Sequence, residues 1–381
     1  MQQEQRLILK MLEEGKINAE EAEALLNALG EAEPKEEEAQ EEPWARLEKM
    51  GEEFAAKVEA ATERFAKSLE HKTEGLSEKL VKLPKILTRI PFVGFEQAHE
   101  FTQVRRGPVT AEEGEVIPIA LSNFNGPICV EGWSEDGWQL IVVQRIRGRD
   151  RETLRDHLYK AEWADGEARD SFRLSIPDQL DRFVSLHLMV PRHRKYEVTT
   201  VSVNGSLRLE NLKGTTVELR TTNGSVSTCS VRSERVDGRI SNGSCKMDGV
   251  EADVIRFRIG NGSYRVQGSA REVDCVATNG SIDLRADQIP QTSNYTLQTV
   301  NGSITVKLPD QENVGTSVQL STSVGRIHTS LGALENTTDE RAGGGASFSG
   351  QTVGFAEKPV RLALSATTTS GSISVSTTEE D

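Results

Sequence analysis

Residues 204 to 225 read NGSLRLENLKGTTVELRTTNGS, and the Asn-Gly-Ser triplet at each end of this stretch decides the fold. The triplet occurs six times between residues 204 and 303, at separations of 19, 19, 19, 18 and 22 residues. A return at so regular a period is typical of a stacked-repeat protein. The six triplets open at Asn204, Asn223, Asn242, Asn261, Asn279 and Asn301.

Apolar or small residues occupy every second position on both sides of each triplet. Around the first triplet these positions hold Val198, Thr200, Ser202, Leu207 and Leu209. Alternation with period two indicates strands with one buried face. Two short strands per 19 residues, joined at an Asn-Gly turn, fit one coil of a β-solenoid. We therefore predict a mainly β fold, a single-chain β-solenoid (β-helix) over residues 101–381, preceded by an α-helical N-terminal region.

Each residue of the triplet has a mechanical role in this prediction. Glycine takes positive φ at no steric cost and asparagine tolerates the left-handed region, so the pair turns a corner. Stacked asparagines can pass amide hydrogen bonds up a column, and serine bonds nearby backbone. The predicted turn ladder comprises Asn204, Gly205, Asn223, Gly224, Asn242, Gly243, Asn261, Gly262, Asn279, Gly280, Asn301 and Gly302.

Two ligand-based interpretations of the triplet are less favoured. Asn-Gly-Ser is formally an acceptor for N-linked sugar, but six copies in fixed register are better explained by turn geometry. Calcium-loading solenoids alternate Gly and Asp, whereas these positions hold Asn, Ser and Thr.

The composition of the 381-residue chain disfavours some classes of function and indicates a location. Its net charge of −14 argues against a general nucleic-acid binder, because phosphate contacts need clustered Lys and Arg. The N-terminus lacks an export signal pattern, and no apolar run is long enough to cross a bilayer. The four cysteines show no CxxC spacing, and Cys245 and Cys275 fall on inward-facing positions. We expect a cytoplasmic protein.

Residues 1–30 are predicted to form a helical hairpin. Gly15 ends its first helix, and Asn18 caps the second with Glu21 three residues later. So small a unit has little core, so it needs a partner surface. Dimerisation or docking to another protein is one interpretation, and packing on its own solenoid is the other. Residues 31–43, which contain seven glutamates, are predicted to be a solvated linker.

Residues 44–100 are predicted to contain a long amphipathic helix and a cap for the solenoid. Apolar residues from Trp44 to Leu83 follow coiled-coil spacing, so we expect self-association or protein partners through residues 1–83. A cationic stripe follows, formed by Lys79, Lys82, Lys85 and Arg89. Such a segment can lie on an anionic membrane surface or cap the open solenoid end, and we favour the cap.

Motifs for chemistry are missing from the sequence. There is no HExxH, GxSxG or phosphate-binding glycine loop, so we predict no catalytic, cofactor-binding or metal residues and identify no small-molecule substrate. Arg208, Lys246 and Arg265 share one offset after the Asn and form a candidate basic stripe. Alternate charge on a solvent face is the simpler explanation. A helix is indicated between residues 151 and 163, and a strongly apolar strand between 138 and 146.

The repeated Asn-Gly-Ser with its alternating flanks, and the lead-in LHLMVPRHRKYEVTTVSV (186–203), resemble a bacterial family of unknown function labelled putative adhesins. The start, LILKMLEEGKINAEEAEALLNAL, resembles the short helical oligomerisation-type domain found ahead of that region in YvlB-type proteins. This resemblance implies an association with envelope-stress systems. The adhesin label conflicts with the N-terminus of this sequence, which lacks an export signal pattern, since an adhesin must leave the cell.

The sequence therefore predicts a non-enzymatic scaffold or interaction protein, self-associating or docked through its N-terminal helices, at the inner face of the membrane near an envelope-stress complex. A surface adhesin and a polysaccharide-acting β-helix enzyme are the alternatives.

Overall fold

The computed structural model describes residues 98–148, 150–160, 163, 171–177, 182–342 and 344–378. The described residues are mainly strands, with one α-helix and one short 3-10 helix, Phe355–Glu357. The elements in chain order are β1 Ala98–Pro108, β2 Val116–Asn125, β3 Ile128–Trp133, β4 Gly137–Arg147, α1 Arg151–Arg155, β5 Phe172–Ile176, β6 Arg182–Pro191, β7 Lys195–Asn204, β8 Leu207–Glu210, β9 Lys213–Asn223, β10 Val226–Cys229, β11 Arg232–Asn242, β12 Cys245–Asn261, β13 Tyr264–Asn279, β14 Ile282–Ala286, β15 Ser293–Asn301, β16 Ile304–Pro309, β17 Val314–Val324, β18 Ile327–Ser330, β19 Leu334–Ala342, β20 Gly345–Thr352, β21 Val360–Ser370 and β22 Ile373–Thr378.

Parallel pairing stacks the repeats directly on one another. The strand that ends in one triplet pairs in register with the strand that ends in the next, so Asn204 lies beside Asn223 and Asn223 beside Asn242. The strand that follows each triplet pairs in the same way, as Leu207 does with Val226. We call the strands before the triplets the first row and those after them the second row. The long strands β12 and β13 contribute to both rows.

The core is filled by the inward-facing residues of the two rows, which form one contiguous buried cluster. One column of it runs through Leu207, Val226, Cys245, Tyr264 and Ile282, each at most 2% exposed. Because each fully buried large apolar side chain contributes about 1.5 to 3 kcal/mol, this column is a main source of stability.

The predicted fold class is wrong in its helical part. The only α-helix of the described ranges has five residues and lies after β4, where Asp150 caps it by accepting from the backbone N–H groups of Glu152 and Thr153. It covers only the start of the helix predicted for residues 151 to 163. The helical hairpin predicted for residues 1–30, the linker predicted for 31–43 and nearly all of 44–100 lie outside the described residues. Residues 98–100 open strand β1, because they pair antiparallel with residues 145–147 of β4.

The simple winding of a single-chain solenoid is also wrong at both ends of the stack. Among the described residues, the last two strands, β21 and β22, lie between β15–β16 and the earlier β17–β18. At the other end, β2 and β3 lie between β5–β6 and β7–β8. Neighbours in the stack are therefore not always neighbours in sequence, and inward-facing apolar residues at equal spacing make such an exchange possible.

Antiparallel strands finish the stack. In the second row, β4 pairs antiparallel with β6 and carries β1 on its other side. In the first row, β20 pairs antiparallel with β17 and carries β19. The indole of Trp163 packs edge-on against Trp138 and Phe172, at ring-centroid distances of 5.3 and 5.4 Å. These additions cover strand edges that would otherwise invite pairing with other chains.

Candidate functional site

The six triplet asparagines form a continuous side-chain column. From Asn223 onward, each Nδ2 donates to the Oδ1 of the asparagine one coil before it, and Asn204 only accepts. The distances are 2.9 Å for Asn223 to Asn204, 3.0 Å for Asn242 to Asn223, and 2.8 Å for Asn261 to Asn242, Asn279 to Asn261 and Asn301 to Asn279. The amides are therefore engaged with one another.

The triplet glycines form a second column, in which the backbones of neighbouring coils approach too closely to admit a Cβ. A Cβ placed on Gly224 would lie 2.1 Å from the carbonyl oxygen of Gly205, and one on Gly262 would lie 1.8 Å from that of Gly243. No side chain fits this spacing. The column continues beyond the triplets through Gly126, Gly325 and Gly371.

The left-handed backbone expected at the triplet asparagines is wrong. Among the described residues, the non-glycine positions with positive φ are Asn211, Ser230 and Asn336, which belong to no triplet. The asparagine is used for its amide ladder and the glycine for close approach.

Sequence analysis placed small residues at the inward position two residues before the turn, but it missed the hydrogen bonds that their hydroxyl groups make. Thr221 donates to the Gly205 carbonyl, Thr299 to that of Gly280 and Thr368 to that of Gly302, each at 2.9 Å. These bonds satisfy glycine carbonyls that the narrow corner leaves inside. The signal was a hydroxyl residue on an inward-facing position.

The candidate basic stripe is neutralised within the stack. Lys246 pairs with Asp248 at 2.6 Å, Arg265 pairs with Asp283 at 3.3 Å, and Arg208 pairs with Glu210. Arg258 and Asp274 form a further pair at 2.6 Å in the first row. Alternate charge on a solvent face is therefore the correct explanation of the stripe.

An open groove of about 620 Å³ lies at the edge of the stack opposite the triplet column, and we call it the edge groove. It follows the corners where second-row strands pass into first-row strands. There Asn211, Ser230 and Gly249 take left-handed φ values of 56°, 53° and 61°. These three residues also repeat at the 19-residue period. Gly249 lines the edge groove, whereas Asn211 and Ser230 line an adjoining groove of about 590 Å³. The charged residues that line it are Lys195, Lys213, Arg232, Glu234, Glu251, Asp253 and Asp287.

The charges of the edge groove are ordered along the stack. Lys195, Lys213, Arg232 and Glu251 occupy the same register position on four successive coils. Adjacent strands lie about 4.8 Å apart, so these four positions span about 14 Å. Positive charge is thus concentrated at one end, and Glu251, Asp253 and Asp287 make the other end negative.

The two lysines of the edge groove differ from the paired cations elsewhere. Arg232 forms an ion pair with Glu251 at 2.7 Å. Within the part of the chain that the structure describes, neither Lys195 nor Lys213 has an ion-pair partner, and both are exposed. Like charges on directly opposite strand positions repel, so this arrangement has an energetic cost. Sequence reasoning missed these residues, although the 18 residues between Lys195 and Lys213 and the 19 between Lys213 and Arg232 follow the repeat.

Three of the four cysteine thiols are protected from reagents by partial or full burial. Cys245 and Cys275 are 2% and 1% exposed, which confirms their predicted inward position. Burial raises the pKa of Cys275 to about 12. Burial, followed by the nearby Glu210 and Glu131 carboxylates, raises the pKa of Cys129 to about 11. Cys229 is the exposed thiol.

Within the described ranges, no three His, Cys, Asp or Glu side chains gather in a way that would hold a metal ion. Nor does any described helix combine the length and apolar character needed to cross a bilayer. The predicted membrane-contact residues Lys79, Lys82, Lys85 and Arg89 lie outside the described residues.

A family model described as Toastrack DUF4097 matches residues 165–375, which is more than half of the chain. The chain belongs to the Toastrack DUF4097 family. The resemblance to a family of unknown function is thereby confirmed at the family level, while the closer likeness to YvlB-type proteins stays a prediction. A SHOCT-like domain model matches residues 3–33, ahead of the Toastrack region.

No curated protein matches the chain. A solved structure from Clostridium sporogenes ATCC 15579, described as a putative cell adhesion protein, aligns at 9% identity with a TM-score of 0.27. The alignment covers 74% of this chain and all of that one.

Proposed function

We propose that this Toastrack protein is a non-enzymatic interaction scaffold. The observation that supports this proposal is that the cations of the candidate basic stripe have ion-pair partners, whereas the two lysines of the edge groove have none among the described residues. The stripe cations Arg208, Lys246 and Arg265 are paired within the stack, whereas Lys195 and Lys213 have charge available to a partner. A stack held in register by side-chain ladders presents such charges at fixed spacing, which favours recognition over chemistry.

The N-terminal region supplies self-association or docking in this proposal. A SHOCT-like match over residues 3–33, separate from the Toastrack match, supports a distinct module there. Deleting residues 1–83 should lower the number of chains per particle, obtained by dividing the molar mass from light scattering by the mass of the shortened chain. The β-sheet circular dichroism should stay unchanged. An oligomer of unaltered size would refute self-association through this region.

We propose a cytoplasmic location, in keeping with four free cysteines. A position at the inner face of the membrane near an envelope-stress complex is supported by the cationic stripe and by the family resemblance. Fractionation of native cells tests the location, and recovery at the cell surface would favour the adhesin alternative. Liposome co-sedimentation tests membrane contact. A variant with four cations changed to glutamate, at Lys79, Lys82, Lys85 and Arg89, should not bind anionic vesicles. Equal binding by the wild type and this variant would reject membrane contact through these residues.

A further inference from the structure

We propose that the edge groove binds an extended polypeptide segment in which a cluster of acidic residues is followed or preceded by a cluster of basic residues. This inference rests on the scaffold function proposed above and names the chemistry of the partner.

The positive end of the groove sets the first requirement. Lys195 and Lys213 are in register on adjacent strands and unpaired among the described residues. They are about 4.8 Å apart at their Cα atoms, so one or two carboxylates can neutralise both. A bound acidic segment would therefore remove a repulsion that the free protein carries.

The negative end sets the second requirement and excludes a uniformly anionic polymer. Glu234 and Asp253 line the groove without an ion-pair partner in the described part of the chain. Asp287 adds a third carboxylate, which accepts from Gln267 at 3.2 Å. A nucleic acid or polyphosphate crossing the groove would meet these carboxylates and be repelled, whereas basic side chains would pair with them.

The dimensions of the groove fit an extended chain. The four register positions from Lys195 to Glu251 span about 14 Å, and an extended peptide advances about 3.3 Å per residue, so five or six residues cover them. The Arg232–Glu251 pair occupies the third and fourth of these positions, between the two lysines and Asp287, and it marks where the charge of the partner changes sign.

The test uses the full chain and a fluorescein-labelled peptide of three glutamates followed by three lysines, with blocked termini. Fluorescence anisotropy at low salt should show saturable binding that 0.5 M NaCl weakens, since salt screens exposed charges. An all-glutamate peptide and a peptide of alternating Glu and Lys should bind at least about fivefold more weakly, because neither matches both ends.

Two double variants locate the binding. K195E/K213E should weaken binding of the labelled peptide at least about tenfold and create a preference for an all-lysine peptide, since the whole groove is then negative. The matched control is R285E/K307E, which reverses two exposed cations that are also in register, on the outer side of the second row. This control should change affinity less than about twofold. Circular dichroism and thermal melting confirm that both variants are folded.

Two results would overturn the groove assignment. One is the absence of saturable binding by the wild-type chain, and the other is an equal loss in both double variants. Light scattering of the same samples reports self-association separately, so a failed groove and a failed scaffold function are distinguishable.

Discussion

Asn242 and Asn223 are joined by an amide–amide hydrogen bond of 3.0 Å although they lie 19 residues apart in the chain. Asn242 also accepts from Asn261 at 2.8 Å, so its side chain belongs to two links of the column. The links connect successive coils at the corner where the rows meet. The column therefore stabilises the stacking of neighbouring repeats.

Removing one amide from the middle of the column should cost more than removing one from its end. Asn242→Ala breaks two hydrogen bonds, and we expect a loss of about 1 to 2 kcal/mol in the free energy of unfolding by urea. Asn204→Ala breaks the single bond from Asn223 and should cost about half as much. Asn294→Ala, at an exposed strand position outside the column, is the control. Equal effects at all three positions would contradict the ladder.

A methyl group added in the glycine column should lower the free energy of unfolding far more than one added in an open turn. Gly243→Ala places a Cβ 2.0 Å from the Gly224 carbonyl oxygen, so the coils must move apart. We expect a loss of about 3 kcal/mol or more. Gly114→Ala has a positive φ of 93° but open space around the new Cβ, so it should cost only about 1 to 2 kcal/mol. Similar melting temperatures for the two variants would refute steric exclusion.

Two buried tyrosines should respond differently to loss of the hydroxyl. The Tyr295 hydroxyl donates to the Ala270 carbonyl at 2.9 Å, whereas that of Tyr264 lies 3.9 Å from the Met247 sulfur. Tyr295→Phe should therefore destabilise by about 1 kcal/mol, and Tyr264→Phe by less than about 0.5 kcal/mol. Urea unfolding of both variants makes the comparison, and the reverse order would be inconsistent with these contacts.

Thiol labelling should distinguish the four cysteines. At pH 8, a thiol reagent should modify exposed Cys229 first, while Cys245 and Cys275 react only after unfolding. Cys129 should react slowly, at a rate that increases with pH toward its raised pKa of about 11, because the thiolate is the nucleophile. Mass spectrometry of the labelled peptides provides the measurement. Rapid labelling of Cys275 in the native protein would be incompatible with its burial.

Burial of the Cys275 thiol also predicts loss of stability at alkaline pH. Its pKa is raised from 9.0 to about 12 in the folded chain, so the stability tied to the neutral thiol is fully present below pH 9. That contribution declines between pH 9 and about 12, because only the unfolded chain ionises readily there. Cys275→Ala should flatten the fall in melting temperature above pH 9, and a parallel fall in the variant would contradict this cause.

The repeat corners were predictable because their signal is local. The triplet and its alternating flanks lie within a few residues of one another, and they identify the strands around Asn223 and Asn242 directly. The strand between residues 138 and 146 was predicted and is found as β4. Its antiparallel pairing and the insertion of β21 beside β15 were not predictable, because equally spaced apolar residues fit any neighbouring strand. The pairing of Arg258 with Asp274 depends on which coils touch, and the same holds for the alignment of Lys195 with Lys213. A search for charged residues at the repeat period would have found the edge groove.

The position of β21 and β22 has a consequence for biosynthesis. These strands are translated after β15–β18, yet they occupy a place between β15–β16 and β17–β18. The earlier strands therefore cannot reach their final arrangement until β21 and β22 have left the ribosome. A nascent chain halted after residue 359 would lack the strands that separate them, so emergence of β21 and β22 acts as a checkpoint for assembly of this end of the stack.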